Sequence, residues 1–241
     1  MKIHLVSFGS GRYKKSIERI REQAIASGFF TDLHCIKSSD LPIGYRIKYF
    51  RYLNERTRGY GYWMWKSYII KKVFDQMEKD DILVYVDAGC TINKQGKNRF
   101  LDYIEMLKNS EYSNLSFRLT HPEIKYTKRE LINFLDVQNN SEIIHSSQLM
   151  ATVFFIRKDK QSEELIEKYF NISHYHINLI NDSPSTDAEN SQFIDHRHDQ
   201  SVFSLLRKKY GSLILDDETY FDDNNWEQNI SFPFHAKRIR E

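Results

Sequence analysis

The stretch DILVYVDAGCTIN, residues 81–93, decides the fold. Ile82, Leu83, Val84, Tyr85 and Val86 make a short, nearly continuous apolar run rich in β-branched residues. A run of this kind suits a strand buried on both faces, as at the centre of a parallel sheet. It breaks on Asp87, and a small residue and a glycine follow at once. At the carboxyl edge of an open α/β sheet, that is where ligands collect. The plainer alternative is a strand end closed by a turn-forming Asp and Gly.

The surrounding chain favours the sheet. Residues 2–8 read as a first strand, with Ser7, Phe8, Gly9, Ser10 and Gly11 in the loop that leaves it. Between residues 14 and 27, Ile17, Ile20 and Ala24 fall on one helical face, and Gly28 is placed as a C-terminal stop. Residues 32–36 form a second strand candidate, and residues 67–78 repeat helical spacing through Ile70, Val73, Phe74 and Met77. This β–α–β–α–β order predicts an α/β sheet assembled largely by crossover connections. Further on, 100–108 reads as helix, 115–119 and 151–156 as strands, 162–180 as a long amphipathic stretch, 198–209 as helix and 212–215 as a late strand. Thr127 and Glu130 have the spacing of a capping box for a helix carrying Leu131, Ile132 and Leu135. With no repeat, low-complexity segment or linker, a single domain is the economical expectation.

Bulk composition narrows the function classes. A chain of 241 residues with 40% hydrophobic and 28% charged residues can bury a real core as an ordinary globular protein. A net charge of +2, with both signs mixed throughout, gives no footprint for nucleic acid. Cys35 and Cys90 make no disulfide framework and no CxxC pair, which fits a reducing cytoplasm. No run approaches the roughly 20 apolar residues of a membrane-spanning helix. The start MKIHLVSFGSGRY is too short in its apolar part for a signal peptide, and the basic tail HAKRIRE reads as a solvated terminus or a contact with an anionic lipid surface. Aromatic residues at 14% leave room for a ring-lined cleft.

Four constellations could carry chemistry. The first is Asp87-Ala88-Gly89, because a divalent ion on a diphosphate needs one or two carboxylates and little else from the protein. A dinucleotide fold and a P-loop are excluded: SFGSGRY spaces its glycines wrongly, and no GxxxxGK occurs. The second is RGYGYWMWKSYII, residues 58–70, where Arg58 and Lys66 could meet phosphate near a helix start while Tyr62, Trp63 and Trp65 wall a pocket. The bland reading makes the tryptophans core anchors and Lys66 surface; the Gly-Tyr-Gly-Tyr ahead of the helix argues against it. The third is FIDHRHDQSVFSLL, residues 193–206, with Asp195, His196, His198, Asp199 and Gln200 leading into an apolar helical face. Asp199 could be no more than a helix cap, and the HxH pair next to Asp also suggests zinc. The fourth is the lone His235.

In that order, Arg58–Ile70, Asp87–Cys90 and His196–Leu206 resemble the segments RGYGYWxWKPxII, DxGC and HRHDQSxFSLL of bacterial nucleotide-sugar glycosyltransferases of surface-polysaccharide biosynthesis, which have the GT-A fold. The resemblance spans nearly the whole chain, with Ser67 where proline is usual. It implies an α/β, Rossmann-like, mixed but mainly parallel sheet flanked by helices in a single domain, with 1–95 as the nucleotide-binding half and 96–241 as the acceptor-binding and catalytic half. It further implies transfer of a hexosyl unit, galactosyl or galactofuranosyl, from a UDP-sugar to a glycan or lipid-linked acceptor of capsule, O-antigen or lipopolysaccharide. The enzyme would work in the cytoplasm with peripheral contact at the inner membrane surface, and with Mn2+ or Mg2+ as cofactor.

The same resemblance distributes roles. Asp87 holds the metal, with His235 completing the shell. Ser7, Phe8 and Gly9 hold the nucleoside, and Ala88 and Gly89 let the donor approach. Arg58, Tyr62, Trp65 and Lys66 steady phosphate or sugar. Asp199 is the candidate general base with Asp195 behind it, as an inverting reaction requires. A further likeness, to the DQD segment of retaining lipopolysaccharide galactosyltransferases, places Gln200 beneath the sugar instead and needs no base. Gly89 stands where the usual DxD has its second aspartate, which leaves open a carbohydrate-binding or scaffold protein without catalysis, and a zinc hydrolase on His196, His198 and Asp199 is a third expectation. Lys125 to Lys128, Ser147 and Gln148 are candidate acceptor-side groups, and residues 181–192 a candidate lid.

Overall fold

The structure, a computed structural model, describes residues 1–221 and 229–239. Strands β1 (Ile3–Gly9), β2 (Asp32–Lys37), β3 (Ile82–Val86), β5 (Asn114–Pro122), β6 (Ser147–Arg157) and β7 (Leu213–Asp216) form one sheet in the order β2-β1-β3-β6-β5-β7. A second, two-stranded ribbon pairs β4 (Thr91–Ile92) with β8 (Phe234–His235), antiparallel. The longer helices are α1 (Lys14–Ser27), α4 (Met64–Phe74), α5 (Lys97–Asn109), α9 (Lys160–Tyr175) and α10 (Asp199–Tyr210). The shorter ones are α2 (Ile43–Lys48), α3 (Gly59–Tyr62), α6 (Glu123–Tyr126), α7 (Arg129–Phe134) and α8 (Ser141–His145). Among the described residues, no helix is long and apolar enough to cross a membrane.

Every residue of β3 is buried, as its apolar run requires. Side chains alternate across a strand, so Leu83 and Tyr85 face one core and Ile82, Val84 and Val86 the other. The first core gathers α4, α9 and α10 through residues such as Ile70, Tyr169 and Phe203; the second gathers α1 and α5 through Ile20, Phe100 and Leu107. Helices on both faces are what a doubly buried strand demands.

Five of the six main strands point the same way, since β1 pairs parallel with β2 and β3, and β5 parallel with β7. The exception is β6, antiparallel to both β3 and β5. The central strand therefore lies in a mixed environment, parallel on one side only. Residues 1–95 supply three adjacent strands of the sheet and residues 96–241 the other three.

Local expectations met their physical limits in two places. Gly28 does end α1, in the left-handed conformation at φ 65 with its N–H on Ile25 O. The capping box at Thr127 and Glu130 does not form: Lys128 is the N-cap of α7 and makes no side-chain cap, while the Thr127 hydroxyl donates to buried Glu123 Oε2 at 2.6 Å. A buried carboxylate outcompetes a nearby backbone N–H for that hydroxyl. The helix expected at 67–78 begins earlier, at Met64, and ends at Phe74.

Candidate active site

Asp87 leaves the carboxyl end of β3, where its N–H donates to Thr152 O and its C=O accepts from Cys90 N–H, both at 2.9 Å. These bonds fix a tight turn over residues 87–90. Arg19 of α1 clamps the same turn, donating to Ala88 O at 3.0 Å and Cys90 O at 2.8 Å. Nothing in the local sequence signals this role for Arg19, because the contact spans about seventy residues. Gly89 lies under the C-terminal segment: Ile239 N–H donates to Gly89 O at 2.9 Å, and a Cβ on Gly89 would stand 3.3 Å from Arg238 Cα. A second aspartate here would force that segment outward. The chain packing thus accounts for glycine at this position.

The Asp87 carboxylate is one-third exposed, and its Oδ1 accepts from the Tyr85 hydroxyl at 2.6 Å. Lys66 Nζ stands 3.4 Å from the same oxygen and 2.7 Å from Asp199 Oδ2, and it donates to Ala151 O at 3.0 Å. Its side chain is only 2% exposed. Residues 66, 87 and 199, distant in sequence, thus form one buried cluster of two carboxylates around one ammonium. The Tyr85 ring lies 4.8 Å beneath that ammonium.

Electrostatics in the cluster follows from this crowding. Burial pulls the Lys66 ammonium's pKa down, but the carboxylates of Asp199 and Asp87 outweigh it and the net direction is up. Burial pushes the Asp199 carboxyl up, Lys66 opposes, and the like charge on Asp87 adds to the rise. Among the described residues, no donor other than Lys66 reaches Asp199 Oδ2. Asp199 opens α10 and could have been a cap; its side chain serves the ion pair instead.

Segment 58–63 explains its own unusual sequence. Gly59, Tyr60, Gly61, Tyr62 and Trp63 all have positive φ, between 53 and 100, so α3 is a left-handed turn. Such backbone costs about 1–2 kcal/mol at each non-glycine residue. It reverses the chain so that Lys66 enters the site in the first turn of α4. A Cβ at Gly59 would meet the Trp63 ring at 2.3 Å, so only glycine fits there. Trp65 anchors the turn by donating its indole N–H to Gly59 O at 2.9 Å and stacking on Phe8 at 3.9 Å. Trp65 and Phe8 are therefore buried anchors, and through them the end of β1 is tied to the turn. Among the described residues, buried Ser7 Oγ, just before Phe8, has no hydrogen-bond partner. Gly9 allows the chain of residue 13 to approach, since a Cβ would stand 2.5 Å from Tyr13 O.

The third motif builds the opposite wall. His198 has the strained backbone φ 51, ψ −124, stacks on Tyr62 at 5.7 Å and donates from Nε2 to Asp182 Oδ1 at 2.8 Å. Arg58 bridges the same Asp182 (3.5 Å) and Asp195 (3.6 Å), so both motifs and the loop after α9 meet there. Gln200 donates to Gln148 Oε1 at 2.7 Å. Gln148 is itself held by Nε2 contacts to Glu123, Tyr126 O, Thr127 and Ser201, at 3.0–3.2 Å. Gln148, expected beside the acceptor, thus orients Gln200.

The metal expectations divide. Among the described residues, no group of three or more His, Cys, Asp and Glu side chains could hold an ion. His196 is occupied at both ring nitrogens, accepting from Lys128 N–H at 3.3 Å and donating to Leu179 O at 3.0 Å. Burial and neighbouring His198 hold it far below the usual histidine range, hence neutral. A zinc centre on His196, His198 and Asp199 has no such ligand set. His235 lies on β8 opposite Thr91 and lines a cavity of about 380 Å³ with Gln23, Asn93 and Gln95. Asp87 offers a partly exposed carboxylate, which suits an ion that arrives with a diphosphate and keeps phosphate and water as its other ligands.

No protein-family model matches the chain, and none of the curated proteins does. Among solved structures, the chain is similar to a glycosyltransferase involved in the glycosylation of the major capsid of PBCV-1: TM-score 0.53 at 13% identity, over 100% of this chain and 96% of that one. Mouse xyloside xylosyltransferase 1 in its apo form is more distant, at TM-score 0.49 and 9% identity, over 98% and 97% of the two chains. At such identities the likeness is one of architecture, and the architecture is the single-domain GT-A fold, a mixed, mainly parallel six-stranded sheet flanked by helices.

Proposed function

We propose that the chain is a glycosyltransferase that moves a hexosyl unit, galactosyl or galactofuranosyl, from a UDP-sugar to a surface-glycan acceptor of capsule, O-antigen or lipopolysaccharide. One observation carries the reading: at the carboxyl end of the central strand of a GT-A sheet, Lys66 joins Asp87 to Asp199, the heads of two separate motifs. Residues 1–95 serve as the nucleotide-binding half and 96–241 as the acceptor-binding and catalytic half. The work takes place in the cytoplasm, against the membrane that carries the acceptor.

Departure of a nucleoside diphosphate builds negative charge that the site must offset. Asp87 would hold a Mn2+ or Mg2+ ion, which when bound supplies that positive charge. Tyr85 fixes the Asp87 carboxylate in one orientation, and Lys66 places its ammonium between the two neighbouring carboxylates. Ser7, with its unpartnered hydroxyl, and the Phe8-Gly9 backbone border the nucleoside. Arg58, Tyr62 and the stacked His198 form the wall beside the transferred sugar. Gln200, aimed by Gln148, faces the reaction centre, and Asp195 is the more exposed carboxylate for an incoming hydroxyl.

The test is thermal unfolding with nucleoside diphosphates, followed by a donor screen. UDP with Mn2+ should stabilise the protein by about 2.7 kcal/mol at a hundredfold excess over Kd. Released UDP in the presence of acceptor glycan supports catalysis. The ion pairing of both Asp195 and Asp199 favours, as a second reading, a carbohydrate-binding module on the same fold; binding without UDP release would select it. No stabilisation by any nucleoside diphosphate, with or without metal, defeats the transferase reading.

A further inference from the structure

Residues 42–53, PIGYRIKYFRYL, are apolar on two opposite sides. Tyr45, Tyr49 and Leu53, spaced four apart, turn inward, and Tyr45 bonds His174 Nε2 at 2.9 Å and stacks on Tyr68. That face alone would complete an ordinary surface helix. The outward face nevertheless carries Ile43, Ile47 and Phe50, exposed by 67, 67 and 66%. Tyr175, 64% exposed at the end of α9, joins them through Lys48, whose ammonium lies 5.5 Å from its ring. Scattered exposed apolar residues mean little, but a cluster marks an interaction surface.

The charges beside the cluster select the partner. Arg46, Lys48 and Arg51 are interleaved with it, and no acidic residue occurs from 41 to 54. Among the described residues, no carboxylate pairs with any of the three. A second copy of the chain would set these cations against themselves across a two-fold axis. Apolar tips ringed by long cationic side chains match the boundary of a bilayer, where tips enter the acyl region and cations meet headgroup phosphates.

We propose that the α2 region, Ile43 through Arg51, docks the protein on an anionic phospholipid surface. The expected contact at the C-terminal tail is a different one. The location agrees with the site: His174, which α2 packs against, lies 3.5 Å from Ser67 Oγ, next to Lys66. The docking face therefore belongs to an element packed beside the one that carries Lys66, and only the identity of a lipid-linked acceptor there rests on the proposed function.

Co-sedimentation of the full chain with vesicles tests this without nucleotide, acceptor or turnover. Phosphatidylglycerol-containing vesicles should bind the protein, and phosphatidylcholine vesicles should bind it far less. Raising the salt from 0.1 to 1 M, which shortens the screening length from about 10 to 3 Å, should weaken binding. Neutralising Arg46, Lys48 and Arg51 to Gln should weaken partitioning on the order of a hundredfold. Ile47→Asp with Phe50→Asp should weaken it about tenfold or more. Absence of binding, equal binding to neutral vesicles, a dimer dispersed by Ile47→Asp, or binding lost in Lys237→Glu but kept in the α2 variants would each overturn the proposal.

Discussion

Replacing Lys66 by Met tests whether the buried cluster is organised as an ion pair. The change removes the ammonium that stands 2.7 Å from Asp199 and 3.4 Å from Asp87, and it takes a donor from Ala151 O. Removing one partner of a buried pair costs about 3–5 kcal/mol, because the remaining charge is uncompensated. Asp199 can relieve this by taking a proton. Its folded pKa already lies above its ordinary value of 3.8, and losing Lys66 removes the largest influence that opposes burial, leaving only the smaller one of His198. The sign follows: a carboxyl with a raised folded pKa contributes stability present below 3.8 and lost as pH rises through the folded value. Over that window the variant should lose about 1.4 kcal/mol of stability per pH unit. Urea unfolding of both proteins at closely spaced pH values measures it. The full penalty should appear at pH 7.5 and shrink on acidification, whereas a difference below about 1 kcal/mol that is flat with pH would refute the reasoning.

Four more outcomes are expected. Asp87→Asn should keep the Tyr85 hydrogen bond and the fold, seen by near-ultraviolet circular dichroism, and lower UDP release on the order of a hundredfold or more. Gly59→Ala should cost roughly 3 kcal/mol or more, from its φ of 59 and the overlap with Trp63. Gly28→Ala, at φ 65 but with nothing near its Cβ, should cost only about 1–2 kcal/mol by the same denaturant measurement. Gln148→Leu takes the acceptor from Gln200 and should lower kcat about tenfold, with KM changed less, in steady-state assays.

The two proposals fail independently. Vesicle binding can hold when no nucleoside diphosphate binds, and the converse also holds. If both stand, α2 holds the protein at the bilayer while the buried contacts Tyr45–His174 and His174–Ser67 run from it to the residue next to Lys66. The backbone strain of the left-handed turn at 59–63 is carried by Trp65, buried on Phe8, and by Tyr62, stacked on His198. Aromatic pairs contribute about 0.5–1.5 kcal/mol each beyond their buried area, which offsets part of that strain.

Much was legible in the chain before any coordinates. Continuous apolar runs gave β3 its burial, 3.6-residue spacing gave α1 and α10, and Gly28 gave a helix end, because each depends on neighbours within a few residues. The order of three motifs was also enough to expect the GT-A sheet. Tertiary structure alone decided the rest. Strand direction leaves no trace in hydrophobic period, so β6 could not be read as antiparallel. Side chains 66, 87 and 199 meet only once the sheet and two helices are packed, and Thr127 chooses Glu123 over a cap for the same reason. Position 89 was visible as a glycine, but the crossing of residues 238 and 239 that accounts for it is a contact across about 150 residues. Local pattern reports how exposed a residue is; which charge it faces is set by the fold.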